Sequence, residues 1–201
     1  MFKNPHQQLS DSKNNDYDIL SIGNIFVAPI RLLPNKDKIA SVKGLNDGDI
    51  IGIRADLTNG GRALKQLEKA GLIEIDPNAG FIPNKTDITK YNVKIQFREA
   101  ESGLLYCLLR DLSASVLNAE YAFTVNLDPY KYSIFSENVD PKENPFFSEL
   151  VNVIAARTKD KDNEVCKKVV EAYQTPEVEK VLNELYKGAY IPVWEGAQSK
   201  F

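Results

Sequence analysis

Apolar residues first crowd together at Ile19, Leu20, Ile22, Ile25, Val27 and Ile30, interrupted by Gly23 and Pro29. A dense β-branched and aliphatic run of this kind predicts a strand buried on both faces, as in parallel sheets. The polar turn Lys43–Gly48 leads into a second short apolar run, Asp49 to Ile53, and a second predicted strand. Ala63, Leu64, Leu67 and Ala70 then recur at helical spacing. Thr58 and Asn59 stand where N-capping residues belong and Gly71 where a helix stops, so the spacing predicts a helix over 61–70. Val93, Ile95 and Phe97 alternate with polar residues, the pattern of a half-buried strand. Ser102 is placed to cap a helix carrying Leu104, Leu105, Leu108 and Leu109. Ala114 to Leu117 predicts a buried strand ending at Asn118, with a short helix through Tyr121, Ala122 and Phe123 behind it. Beyond the Pro/Asn-rich loop Asp140–Pro145, Val151 to Ala156 reads as a further strand. Two helices close the chain. Val165, Val169, Val170 and Tyr173 share a face of the first, and Thr175-Pro176-Glu177 opens the second with Thr as cap and Pro at its first position. Strands alternating with helices predict an α/β protein with a mainly parallel sheet.

Composition narrows the function classes. The 25 basic and 28 acidic residues leave a net charge of −3, without the basic excess that nonspecific nucleic-acid binding needs. No apolar run approaches the ~20 residues that span a bilayer. Met1–Gln8 is polar and no apolar core follows it, so this stretch carries neither a signal peptide nor a lipidation cysteine. Cys107 and Cys166 are far apart, without a CxxC, and read as small core hydrophobes. His6 is the single histidine, which disfavours hydrolytic triads and histidine metal sites; no cofactor is implied.

The segment Asp56-Leu57-Thr58-Asn59-Gly60-Gly61-Arg62 is the best candidate site on physical grounds. It joins a strand end to a helix start, where unpaired N–H groups favour an anion. Two glycines would let a ligand approach the backbone, and Arg62 offers a fork matched to a carboxylate or phosphate. The bland alternative is a capped surface helix with a solvated arginine. Asn118 also follows a buried strand, and its amide has donors and an acceptor suited to a zwitterion. Asn152 stands inside the apolar run Leu150–Ile154, so it needs a backbone partner or faces a ligand. Tyr17, Phe26, Tyr106 and Tyr121 read as core aromatics before pocket walls. No nucleophile–base pair can be named, which places an enzyme last among the readings.

Several segments together resemble the NlpA/MetQ family, substrate-binding lipoproteins of methionine ABC transporters. They are Thr58-Asn59-Gly60-Gly61-Arg62-Ala63-Leu64, continuing through Leu67–Ile73, and Val170-Glu171-Ala172-Tyr173-Gln174-Thr175-Pro176-Glu177-Val178, followed by Tyr186–Trp194. Ser21–Asn24, Leu117–Ala122 and Asn152–Arg157 fall in family order around them. The resemblance implies an α/β, two-lobed, periplasmic-binding-protein-like (type 2) fold. It would bind an amino acid, methionine or similar, in an interlobe cleft and pass it to an ABC permease without catalysis. It implies a lipid-anchored place at the cell surface or periplasm. By the same resemblance Arg62 receives the ligand carboxylate, and Asn118, Asn152, Asn59 and Phe2 are the other ligand-binding positions. The family's first half-lobe has no counterpart here, so residues 29–124 are expected to form a complete lobe, and 1–28 with 125–201 a partial one. Exposed strand edges in the partial lobe would favour self-association. The alternative is a truncated remnant that keeps the fold and binds little or no solute.

Overall fold

The computed structural model describes residues 18–119 and 128–198. In chain order the labelled elements are β1 (Ile19–Val27), β2 (Ile30–Pro34), β3 (Ile50–Arg54), α1 (Leu57–Lys69), β4 (Ile73–Ile75) and β5 (Ile88–Tyr91). Then come β6 (Gln96–Ala100), α2 (Ser102–Leu108), β7 (Ala114–Asn118), α3 (Pro129–Tyr132) and β8 (Phe135–Ser136). The chain closes with α4 (Phe147–Leu150), β9 (Val151–Arg157), α5 (Glu164–Tyr173), α6 (Pro176–Tyr186) and β10 (Ile191–Pro192). It divides into two compact units, Pro29–Glu137 and Met1–Ala28 with Asn138–Phe201. The segment from α3 to β8, expected with the partial lobe, stands instead on the sheet of the Pro29–Glu137 unit.

That unit is built on a five-stranded sheet in the order β6-β3-β7-β2-β8. β3 runs parallel to β6 and β7, whereas β2 is antiparallel to both β7 and β8. The sheet is therefore mixed, not mainly parallel: β2 brings the chain in beside β7 against the direction of the crossover strands. All five residues of β7 are buried, as its central position requires. Ala63, Leu64 and Leu67 of α1 pack with Ile30, Leu32, Ile51 and Ile53 in one apolar cluster. Leu105 of α2 joins Leu33, Leu112 and Leu117 in another. Ser102 lies inside α2 and not at its cap; its Oγ accepts from the Arg54 guanidinium. Cys107 is exposed and Cys166 only half-buried, so neither is the core hydrophobe expected. Cys107 lies two residues beyond buried Leu105, which at 100° per residue turns it to the far side of the helix.

In the second unit β1 is flanked by β9 and β10, both antiparallel. Only its last three residues are buried, and its pairing with β9 slips around Gly23 and Asn24. The apolar density of Ile19–Val27 thus reflects a bulged, half-covered antiparallel strand rather than one buried on both faces. β10 meets β1 only at Phe26 and Val27, so among the described residues the other long edge of Ile19–Gly23 has no partner strand. Phe26 stacks on Tyr190 at 4.3 Å between ring centroids. The two closing helices form where periodicity puts them, with Thr175 Oγ accepting from the Val178 N–H at 3.2 Å. Their apolar faces are poorly covered: Val165, Val169, Val181 and Leu185 are exposed, and Leu182 is the one buried residue of α6.

Candidate functional site

Helix α1 starts four residues earlier than its apolar period suggests, because Asp56 is its cap. The Asn59 N–H donates to Asp56 Oδ1 at 2.9 Å, and the Asn59 side-chain amide donates to the same carboxylate. The helix N-terminus is therefore capped from within. Arg62 lies more than a turn inside it, so the expected anion cradle of first-turn N–H groups is not what surrounds Arg62. Nor do the glycines open the backbone to a ligand. A Cβ on Gly60 would stand 2.8 Å from the Arg54 carbonyl oxygen, and one on Gly61 2.8 Å from Ile82 Cα and 3.0 Å from the Pro83 oxygen. Both positions require glycine because this chain's own backbone crosses there. A recess of about 160 Å³ lined by Gly60, Gly61, Arg54 and Pro83 includes neither Asn59 nor Arg62.

Arg62 is buried, at 5% exposure, so it is not the solvated surface arginine of the bland reading. Its Nε donates to Glu137 Oε1 at 3.1 Å and its Nη2 to Glu137 Oε2 at 2.6 Å, a bidentate charge-assisted pair. Nη1 donates to Asn59 Oδ1 at 3.3 Å. Glu137 Oε2 also accepts from the Ile30 N–H at 3.1 Å, and the Glu137 N–H donates to the Ile30 carbonyl at 3.0 Å. On the far side of Asn59, Asp56 pairs with Arg54 at 2.8 Å.

Asn118 ends β7 directly opposite Ile30 in the β2–β7 register. It is buried, yet its Oδ1 has no hydrogen-bond partner among the described residues. Gln66, one turn beyond Arg62, donates to the Ile30 carbonyl at 3.1 Å while its own Oε1 is buried and likewise unpartnered. The structure thus links Asn59 and Arg62 to Ile30 through Glu137, sets Asn118 opposite Ile30, and adds Glu137 and Gln66, which the sequence reading missed. Gln66 was findable, since a glutamine at i+4 from Arg62 interrupts the apolar face of α1. Glu137 was not, because 75 residues separate it from Arg62 and only the β2–β8 pairing delivers it.

Asn152 belongs to the other unit, where it is half-buried on β9 opposite Phe26 and donates to the Phe26 carbonyl at 3.4 Å. Its presence in an apolar strand therefore has a backbone explanation. Phe26 and Tyr106 pack in apolar clusters, one in each unit. Phe2, His6, Tyr17 and Tyr121–Phe123 lie outside the described residues. Among the described residues no cluster of His, Cys, Asp and Glu could hold a metal ion, and no helix is long and apolar enough to cross a membrane. Burial raises the Tyr173 phenol above its ordinary value, and raises that of Tyr130 despite the Arg31 guanidinium 3.9 Å from its ring centre.

A family model described as NlpA lipoprotein matches residues 5–194. The chain belongs to the NlpA lipoprotein family. Among relatives in this family, Outer membrane lipoprotein 3 of Mannheimia haemolytica is 39% identical over 89% of this chain and 64% of its own length. D-methionine-binding lipoprotein MetQ of Escherichia coli strain K12 is 35% identical over 94% of this chain and 66% of its own. The chain thus spans just under two thirds of the length of these relatives. A nutrient-binding protein from Burkholderia cenocepacia, solved bound to methionine, superposes with a TM-score of 0.85 at 31% identity, over 96% of this chain and 77% of that one. The family read from the Thr58–Leu64 and Val170–Val178 segments, and the periplasmic-binding-protein-like α/β fold it implied, are those of these proteins.

Proposed function

We propose that this chain is the solute-binding component of an ABC importer, held at the extracytoplasmic face of a membrane, and that it binds an amino acid such as methionine without covalent chemistry. The observation that carries the reading is that Ile30 has on one side Glu137, held by the buried Arg62, and opposite it in the β2–β7 register the buried Asn118, whose amide oxygen has no partner among the described residues. A guanidinium and an orphaned acceptor are the two groups that the carboxylate and ammonium of an amino acid call for. The methionine in the Burkholderia cenocepacia relative supports the choice of ligand. Family resemblance alone implies Asn152 and Phe2 as further ligand-binding positions, and likewise the permease and the lipid anchor. Pro29–Glu137 is then the complete lobe. Self-association belongs to the same reading, supported by the exposed Val165, Val169, Val181 and Leu185.

One observation favours a second reading, a protein that keeps the fold and binds no solute: the Arg62 fork already holds a carboxylate, that of Glu137. Calorimetric titration with a panel of amino acids separates the two. Saturable heat with methionine or a close analogue is the expected result. A silent panel, with the protein shown folded, would overturn the solute-binding reading.

A further inference from the structure

Gln66 stands where the apolar face of α1 should continue, and its amide is buried at a cost. At 3% exposure it donates to the Ile30 carbonyl at 3.1 Å and, more distantly, to the Phe135 carbonyl at 3.5 Å. Its Oε1 is buried and has no partner among the described residues. Both neighbours are acceptors, so the NH2 faces them; turning the amide over would set oxygen against oxygen. Stability does not explain the glutamine. The Ile30 carbonyl also accepts from the Glu137 N–H at 3.0 Å, so it would stay paired without Gln66. The buried amide oxygen, by contrast, has given up its hydration for nothing. An apolar side chain of the same length would remove that penalty.

What the amide adds is direction. Ala63, Leu64 and Leu67 hold α1 on the sheet by apolar contact, which is non-directional and leaves the helix room to shift along the strands. Ile30 and Glu137 form a bridge beneath it: the Ile30 N–H donates to Glu137 Oε2, and the Glu137 N–H to the Ile30 carbonyl. Arg62 joins α1 to that bridge at one point, through the Glu137 carboxylate. Gln66 adds a second on the same helix face, one turn or about 6 Å further along, through the Ile30 carbonyl. The two contacts close a ring through Gln66, Ile30, Glu137 and Arg62, which is satisfied at one setting of helix against strand. We propose that Gln66 is a positioning residue, which fixes α1 on the Ile30–Glu137 bridge so that Arg62 is presented to the solute in one geometry. The part of Gln66 in binding rests on the solute-binding reading; the setting of Arg62 belongs to the unliganded chain.

Gln66→Met tests this, since methionine keeps the unbranched shape and lacks the amide; Gln66→Leu guards against a misfit of the longer side chain. At least one of the two should melt as high as the wild type or about 2–4 °C higher, because an unpartnered buried acceptor has gone. In that same variant the Arg62 Nε–H, followed by NMR of the arginine side chains, should exchange with solvent about tenfold faster than in the wild type. Stability and protection then move in opposite directions, whereas a residue that merely held the fold together would move them together. Methionine affinity, measured by calorimetry, should fall about three- to tenfold. An Arg62 Nε–H as protected as in the wild type would overturn the inference. So would two variants that both melt well below the wild type or fail to fold, since Gln66 would then be a structural residue. Unchanged affinity, where the wild type binds methionine, would overturn its part in binding. A wild type that takes no amino acid, with exchange still faster in the variant, refutes the solute-binding reading and leaves the setting of Arg62 by Gln66 standing.

Discussion

Replacing Gly61 by alanine discriminates between the two reasons a glycine can stand in the Thr58–Leu64 segment. If the glycine existed to let a ligand approach, the methyl added by Gly61→Ala would face open space in the unliganded protein. The variant would then gain the ~1 kcal/mol that alanine holds over glycine inside a helix, and binding alone would suffer. The structure dictates the opposite. The new Cβ would fall 2.8 Å from Ile82 Cα, 2.9 Å from Ile82 Cγ2 and 3.0 Å from the Pro83 oxygen. Two of those three atoms are backbone, so no rotamer change clears them, and the 82–83 segment or α1 must move. Overpacking of this kind costs about 1–3 kcal/mol, with fixed backbone atoms placing it near the upper end; after the helical gain the net loss is about 2 kcal/mol. Gly103 is the control: it is helical, exposed, and an added Cβ meets nothing within 4 Å. Gly103→Ala should gain up to ~1 kcal/mol. Urea unfolding of the three proteins at neutral pH measures both differences. A Gly61→Ala protein as stable as the wild type, or more so, would refute the packing argument and return the glycine to the ligand.

The remaining predictions concern the pair, a cap, two phenols and association. Arg62→Lys exchanges a planar fork for a point charge and should weaken methionine binding about ten- to a hundredfold by calorimetry. Thr175→Ala removes the acceptor for the Val178 N–H and should cost about 1 kcal/mol in a denaturant melt. Tyr130 and Tyr173 have phenols raised in the folded state, so the stability they lend is complete below their unfolded value of 10.0 and falls as pH climbs from there through the folded values. Tyr173→Phe should accordingly flatten the decline measured between about pH 9 and 11. Light scattering should show a species larger than one chain, and Val169→Lys with Leu185→Lys, which charge the exposed faces of α5 and α6, should return it toward a monomer.

Local physics made the elements legible, and non-local pairing hid the site's chemistry. Thr175-Pro176 announced α6 because a hydroxyl cap and a fixed φ are properties of adjacent residues. Ala63, Leu64 and Leu67 announced the inner face of α1 for the same reason. The start of that helix was misplaced because Thr58 and Asn59 are themselves good caps and Asp56, two residues upstream, is an equally good one; only the fold selects between them. Strand direction was hidden for a different reason. An apolar run reports burial and not orientation, so Ile19–Val27 could not reveal that both its neighbours run antiparallel. Asn118 was read correctly as a strand-end amide, but that its acceptor has no partner among the described residues is a statement about surroundings that no window of sequence contains. Glu137 lay in an unremarked stretch before a proline-rich loop, and its importance comes wholly from the β2–β8 pairing that carries it to Arg62.

The conspicuous segment of this chain is a frame for one side chain. Asp56 caps the helix and holds the Asn59 amide by its donors, which leaves the Asn59 oxygen to accept from Arg62. Gly60 lets the helix pass under the Arg54 carbonyl, and Gly61 lets it pass the Ile82–Pro83 backbone. Arg62 emerges with its guanidinium plane fixed from one side by Asn59 and from another by both oxygens of Glu137. A guanidinium so held has lost its rotamer freedom in folding, so on the solute-binding reading proposed above an incoming carboxylate would gain its hydrogen bonds without the ordering cost a free arginine would impose. Disturbing Asp56, Asn59 or Gly61 should then reach the ligand through Arg62. An affinity lost in that way appears for ligands with a carboxylate and is absent for those without one.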